Sequence, residues 1–178
     1  MGHAPTLKIE TEMVVLKDFI NWQEIVAQSR GREERLMSHR NEGNCFCGAI
    51  SIEASGTPVE IGFCHCKSCR SYSGATMTAF TLWRDEDVKI VKGEEFLGGY
   101  NKVGKSDRRF CIRCGGHVMT YHPGFGYTDI CASVLPSVPF IPTVHLNYAE
   151  AVYPIRDSVT KLKDFPEHAG GSGEIITE

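Results

Sequence analysis

Seven of the chain's eight cysteines fall into three short groups: Cys45 and Cys47 in C-x-C-G, Cys64, Cys66 and Cys69 in C-H-C-x-x-C-R, and Cys111 and Cys114 in C-x-x-C-G. Thiolates one or two residues apart can converge on a single ion, whereas a disulfide between such near neighbours closes a small, strained ring. The pattern therefore points to metal. A structural zinc is closed by four protein ligands, and a catalytic zinc keeps one position for water or substrate. Four plus three cysteines predict one site of each kind, and so two zinc ions per chain.

Glycine placement divides the seven. Gly48 and Gly115 directly follow the second cysteine of the first and last groups, where glycine lets the backbone turn sharply and aim amide N–H groups back at the sulfurs. Cys45, Cys47, Cys111 and Cys114 are thus expected to form the closed site, joining distant segments by an ion whose binding free energy is folding free energy. Cys64, Cys66 and Cys69, followed by Arg70 instead of glycine, are expected to form the open, reactive site.

Other arrangements use the same residues. The triplet could be a second structural site completed by His65, Cys131 or another residue, and a cysteine-held iron–sulfur cluster also fits the spacings. Cys131 stands alone in YTDICASV, where a lone cysteine reads as a small buried hydrophobe. His65 is either a spacer or a hydrogen-bond partner and proton shuttle behind the metal. His117, His122 and His145 lie in strand-like segments and are given no role.

Composition narrows the class of protein. The chain has 178 residues, 42% of them hydrophobic, enough for the core of one domain with extensions. Its longest apolar runs are too short to cross a bilayer. The N-terminal MGHAPTLKIETEMVVL lacks a basic region followed by a long apolar stretch, so a soluble protein of the reducing cytoplasm is expected. With 19 basic and 22 acidic residues the formal charge is −3. Seven thiolates and two divalent ions would take it to about −6, which leaves no electrostatic footprint for nucleic acid.

The elements that must position these cysteines are short strands. Residues 1–40 form a helical extension in this reading: Phe19, Trp22 and Val26 recur on one face of an amphipathic helix, interrupted near Gly31. That helix would cap the core, or act as the arm of a homodimer. From residue 41 to 150 the pattern becomes β-rich. Strands are predicted over 49–54, 59–63, 76–83, 88–92, 96–101, 108–110, 117–121, 127–132 and 143–148. The C-x-C-G sequence then precedes a strand, the triplet follows one, and C-x-x-C-G links two. Residues 151–178 form a C-terminal extension ending in EHAGGSGEIITE, which reads as a mobile tail.

Taken together, Gly43-Asn-Cys45-Phe-Cys47-Gly48, Cys64-His-Cys66-Lys-Ser-Cys69-Arg70 with Ser73-Gly74-Ala75 behind it, and Phe110-Cys111-Ile-Arg-Cys114-Gly115 resemble the glutathione-dependent formaldehyde-activating enzyme (GFA) family, also called the centromere protein V/GFA family. The order and spacing of all three motifs match over roughly residues 40–150. The resemblance implies an Mss4-like fold of several coiled antiparallel β-sheets and two zinc ions. It assigns the structural ion to Cys45, Cys47, Cys111 and Cys114 and the catalytic ion to Cys64, Cys66 and Cys69, the partition that the glycines suggest.

The activity implied is that of a carbon–sulfur lyase, condensing formaldehyde with glutathione to S-hydroxymethylglutathione. Three thiolates leave zinc a weak Lewis acid, but a coordinated substrate thiol is deprotonated outright and can attack a small carbonyl carbon. Lys67, Arg70 and His65 are candidates for moving charge or protons there, while Lys67, Arg70, Arg108, Arg109 and Arg113 also read as ordinary surface cations. The N-terminal extension and the proline-rich VLPSVPFIPT fall outside the shared core and can reshape the pocket. A non-catalytic zinc-stabilised module that binds a protein partner, or a lyase on another substrate, is the alternative. Chromatin binding is disfavoured by the acidic balance.

Overall fold

The computed structural model describes residues 39–177, and the helix expected around Phe19, Trp22 and Val26 lies outside the described residues. Among the described residues eleven strands and one α-helix follow in chain order: β1 (Arg40–Asn44), β2 (Ser51–Ser55), β3 (Glu60–Cys64), α1 (Lys67–Ser73), β4 (Thr78–Arg84), β5 (Val88–Lys92), β6 (Leu97–Asn101), β7 (Asp107–Cys111), β8 (His117–His122), β9 (Tyr127–Cys131), β10 (Val144–Leu146) and β11 (Thr160–Lys161). The described chain is mainly β, as expected, and each of the nine predicted strands is present to within a few residues.

Two sheets result. The smaller has the order β1-β2-β5 and is antiparallel; the larger runs β11-β10-β3-β4-β9-β8-β7-β6. Where several antiparallel sheets were expected there are two, and the larger is mixed, because β10 lies parallel to both β3 and β11. Parallel neighbours need long connections, and the 147–159 segment supplies one between β10 and β11.

Alternation along the central strands gives the larger sheet two different faces. Thr81, Trp83, Met119 and Ile130 are buried on one, where the last three join Ile50, just before β2, and Ile52 and Ala54 of β2 in the main core. On the other, cross-strand neighbours run Arg108 to Thr120 to Asp129, with Cys131 opposite Phe80 and Thr78 opposite Cys64. A small apolar cluster of Cys64, Phe80, Val144 and Leu162 sits on this second face. One sheet therefore carries its fold on one side and a polar, cysteine-bearing surface on the other.

Three elements were not foreseen. β1 reads RNEGN, almost wholly polar, yet Asn41 and Gly43 alternate inward and the Asn41 amide donates to the carbonyls of Ala54 and Gly56. α1 has too few residues for a helical period to emerge. β11 is two residues long, and the chain beyond it is tied back: Ile175 bridges Leu162, and the Ile176 N–H donates to the Lys161 carbonyl at 2.8 Å. The segment whose composition predicts a mobile tail thus has backbone partners.

Candidate metal centre

The first and last cysteine groups come together as two turns facing one another. Cys45–Gly48 links β1 to β2, and Cys111–Gly115 links β7 to β8. In each turn the glycine takes a left-handed backbone, Gly48 at φ 72° and Gly115 at φ 71°, and its N–H closes the turn on the carbonyl of the first cysteine at 2.9 and 2.8 Å. A side chain there would be strained. The turn leaves the Ile50 N–H aimed at the Cys45 sulfur, 3.3 Å away. The N–H groups of Ala49 and Gly116 act in the same direction on Cys47 and Cys114.

The sulfurs of Cys45, Cys47, Cys111 and Cys114 all lie within 4.8 Å of one another, as do those of Cys64, Cys66 and Cys69. Two bonds of about 2.3 Å from a tetrahedral zinc set their sulfurs about 3.8 Å apart. The Cys45–Cys47 and Cys47–Cys111 sulfur separations are 3.7 and 3.8 Å. All eight cysteines are free thiols, so the donors fit zinc in both places. The structure brings together the two sets that the glycines separated.

The triplet is built by the end of one strand and the start of one helix. Cys64 closes β3; Cys66 is the N-cap of α1 and its sulfur accepts the Cys69 N–H at 3.2 Å. The other two sulfurs have a donor each. The Asn147 amide reaches Cys64, and an Arg108 guanidinium nitrogen reaches Cys69, both at 3.7 Å. Asn147 does this from a left-handed backbone, φ 53°, the one such non-glycine residue among those described. Hydrogen bonds from Cys64 and Cys69 hold the Cys66 thiol far below its ordinary value, and the Cys64 thiol is pushed up by the same contacts and by burial.

His65 lies between two of these cysteines but turns its ring away. It is 1% exposed, and its Nε2 meets His145 Nδ1 at 2.8 Å; His145 Nε2 in turn meets Asp157 Oδ2 at 3.1 Å. Its main chain is held as well, the N–H by the Leu146 carbonyl and the carbonyl by Arg70 Nε, each at 2.9 Å. Arg70 thus braces the Cys64–Cys66 loop. Lys67 is exposed, and its backbone N–H is capped by Glu150 at 2.7 Å.

A cavity of about 20 Å³, room for roughly one water, opens beside the triplet. It is lined by Cys64, Cys69, Arg108, His117, Asp129 and Cys131, among others. Asp129 reaches back from it to His122, Oδ2 to Nε2 at 2.8 Å. Burial would lower the His122 pKa, yet the hydrogen bond and charge of Asp129 raise it. Burial, then the Asp129 charge, pushes the Cys131 thiol up to about 12, and its sulfur belongs to neither converging set.

Sequence reasoning gave no role to His122 or His145 and read Arg108 as an ordinary surface cation. Strand alternation in DRRFC and YTDIC, once the Cys64 face was known, would have placed Arg108 and Asp129 on it. Nothing in the sequence pairs His145 with His65, eighty residues apart.

Two of these histidines make stability depend on pH. Burial first, then the charges of His145 and Arg70, lowers the His65 pKa to about 4; burial and the Arg108 charge lower His117 to about 4. Both folded values lie below the unfolded 6.5, so the unfolded chain binds more protons between pH 4 and 6.5. Their contribution is complete above pH 6.5 and is lost as pH falls toward 4. Urea unfolding across this window should show that fall, and His117→Asn should flatten it by about one proton's worth.

With this geometry in view, the chain's residues 40–139 match the sequence profile of the glutathione-dependent formaldehyde-activating enzyme family. The chain belongs to that family. A Schizosaccharomyces pombe protein named as an uncharacterized lyase is 32% identical over 88 residues, which are 49% of this chain and 58% of that relative. The matched part is thus less than two thirds of the relative's length. A crystal structure of a Rhodobacter sphaeroides protein is similar at 25% identity with a TM-score of 0.47, over 55% of this chain and 89% of its own. His145, Asn147 and Asp157 all lie beyond the family match.

Proposed function

We propose that the chain is a zinc-dependent carbon–sulfur lyase of the GFA type, which binds a thiol such as glutathione at the Cys64, Cys66 and Cys69 site. It adds that thiol to, or releases it from, a small aldehyde such as formaldehyde. One observation carries the reading: three sulfurs converge beside a cavity, and among the described residues no fourth cysteine, histidine or carboxylate joins them. Cys64, Cys66 and Cys69 would hold a zinc ion there, and the ion would supply the chemistry that keeps a bound substrate thiol as thiolate near neutral pH.

The chain's own residues do the rest. Asn147, the Cys69 N–H and Arg108 each hold one ligand sulfur in place. In the addition, the thiol loses its proton and a carbon–sulfur bond forms to the carbonyl carbon. The carbonyl electron pair moves to oxygen, which takes a proton; nothing is oxidised. Asp129 stands on the cavity wall and can hold that proton at its carboxylate, with the half-exposed His122 behind it leading to solvent. The ligating thiolates and the free state of all eight cysteines suit a reducing compartment, and we place the protein in the cytoplasm.

A protein-binding role is favoured by one feature. Phe46 and Ile112, inside the two glycine-backed turns, are 93% and 60% exposed. A screen of glutathione and other thiols with formaldehyde and small aldehydes, followed by NMR, separates the readings. Catalysed adduct formation by the wild type and none by Cys66→Ser supports the lyase. Rates equal to the protein-free background for every pair overturn it and leave the binding module.

A further inference from the structure

We propose that Arg108 is the counter-ion of the three-cysteine centre: a buried, permanent cation that offsets the centre's negative charge and holds Cys69 as a ligand. The inference rests on the reading of the triplet as a zinc site, and concerns a residue that neither the family motifs nor the sulfur geometry single out.

Charge balance is the first ground. Three thiolates around a divalent ion leave a net charge of −1, and burying an uncompensated charge is costly. Arginine stays protonated at any physiological pH. Arg108 is only 8% exposed, so it too needs an opposite charge. Among the described residues it forms no ion pair with a carboxylate. Asp129, the carboxylate sharing its cavity, is hydrogen-bonded to His122 instead. The thiolate set is the anion within Arg108's reach.

Placement is the second ground. One guanidinium nitrogen contacts Ser68 Oγ at 2.9 Å and Cys69 Sγ at 3.7 Å. The guanidinium carbon lies 5.0 Å from the centre of the Tyr72 ring, on its face, an attractive position for a cation. Ser68, Cys69 and Tyr72 all belong to α1, so the arginine of β7 is clamped against the helix that carries Cys69 and is capped by Cys66. The neighbouring Arg109 is spent differently, on Asp107 at 2.6 Å and the Tyr121 ring.

The consequence is selectivity among sulfurs. A thiolate that accepts a charged N–H is a weaker nucleophile than one that does not. Cys69 is thereby kept as a ligand beside a cavity where an incoming thiol is to be the reactive one. Arg108 is a positioning residue in this account, acting through Cys69.

The test needs no substrate. Full-length wild type, Arg108→Met and Arg108→Lys are loaded with zinc and titrated with a chelator. Cys69 alkylation by iodoacetamide is followed by mass spectrometry. Arg108→Met is expected to weaken one of the two bound ions about 10–100-fold, to leave the four-cysteine ion unchanged, and to speed Cys69 alkylation; Arg108→Lys recovers part of both. Zinc retention and Cys69 reactivity within twofold of wild type in Arg108→Met would overturn the proposal. If that variant does not fold, Arg108→Lys is compared with Arg108→Gln: better zinc retention by lysine supports the proposal, and equal retention overturns it. A wild type that holds both ions yet adds no thiol to any aldehyde removes the lyase reading and leaves this one standing.

Discussion

Cys111→Ser is expected to abolish the cooperative fold. Cys111 is fully buried and Cys45 is 3% exposed, so the four-cysteine site lies partly inside the main core. It joins the turn between β1 and β2, in the smaller sheet, to the turn between β7 and β8, in the larger, across 64 residues of sequence. Binding of a structural zinc contributes roughly 10–16 kcal/mol, which exceeds the roughly 5–15 kcal/mol that usually separates folded from unfolded chains. Without the ion, buried thiols are left where the packing between the two sheets depends on a closed site. Far-UV circular dichroism and amide dispersion by NMR should both collapse, as they should when wild type is stripped by a strong chelator. Cys131→Ser, outside both sulfur sets, is the matched control and should melt close to wild type. A Cys111→Ser protein that unfolds cooperatively within a few degrees of wild type would show that the site is not what holds the sheets together.

Cys66→Ser should do the opposite, keeping the fold and losing the chemistry. Cys66 serves as N-cap of α1, accepting the Cys69 N–H. Serine is among the best residues for that position, so the helix start survives and the change of cap by itself should cost no more than about 1 kcal/mol. As a metal ligand, however, a serine hydroxyl is a poor substitute for a cysteine thiolate. Metal analysis should fall from two ions per chain to one, and thiol addition to the uncatalysed rate. The two variants together separate the sites: one loses the fold with its ion, the other loses an ion and keeps the fold. If Cys66→Ser retained two ions and full activity, the triplet would not be the centre.

Much of this arrangement was legible in the residues because zinc ligands impose local spacing. C-x-C-G and C-x-x-C-G each encode a complete turn, glycine included, and their pairing followed from chemistry that needs no knowledge of the fold. Period-2 alternation in TAFTLWR, HVMTYH and YTDIC gave the central strands. What escaped was non-local or too short to have a period. β1 is held inward by the Asn41 side chain rather than by apolar residues, and α1 by a cysteine acting as a cap. The surroundings of the triplet were the least readable. From beyond the family match Asn147 reaches Cys64 and His145, backed by Asp157, reaches His65, while Arg108 looks in sequence like its neighbour Arg109. Charge in a sequence does not say which arginine is buried; the register of β7 against β8 does.

The most direct test of the central claim, that the triplet is an open site at which a thiol is taken up, is optical. Cobalt-loaded wild type and Cys66→Ser are titrated with glutathione, and the sulfur-to-cobalt charge-transfer absorption is followed. The account predicts a saturable rise in the wild type, from one added thiolate at one of two ions, and no change in Cys66→Ser. A wild-type spectrum unmoved by saturating glutathione and by other small thiols would contradict it.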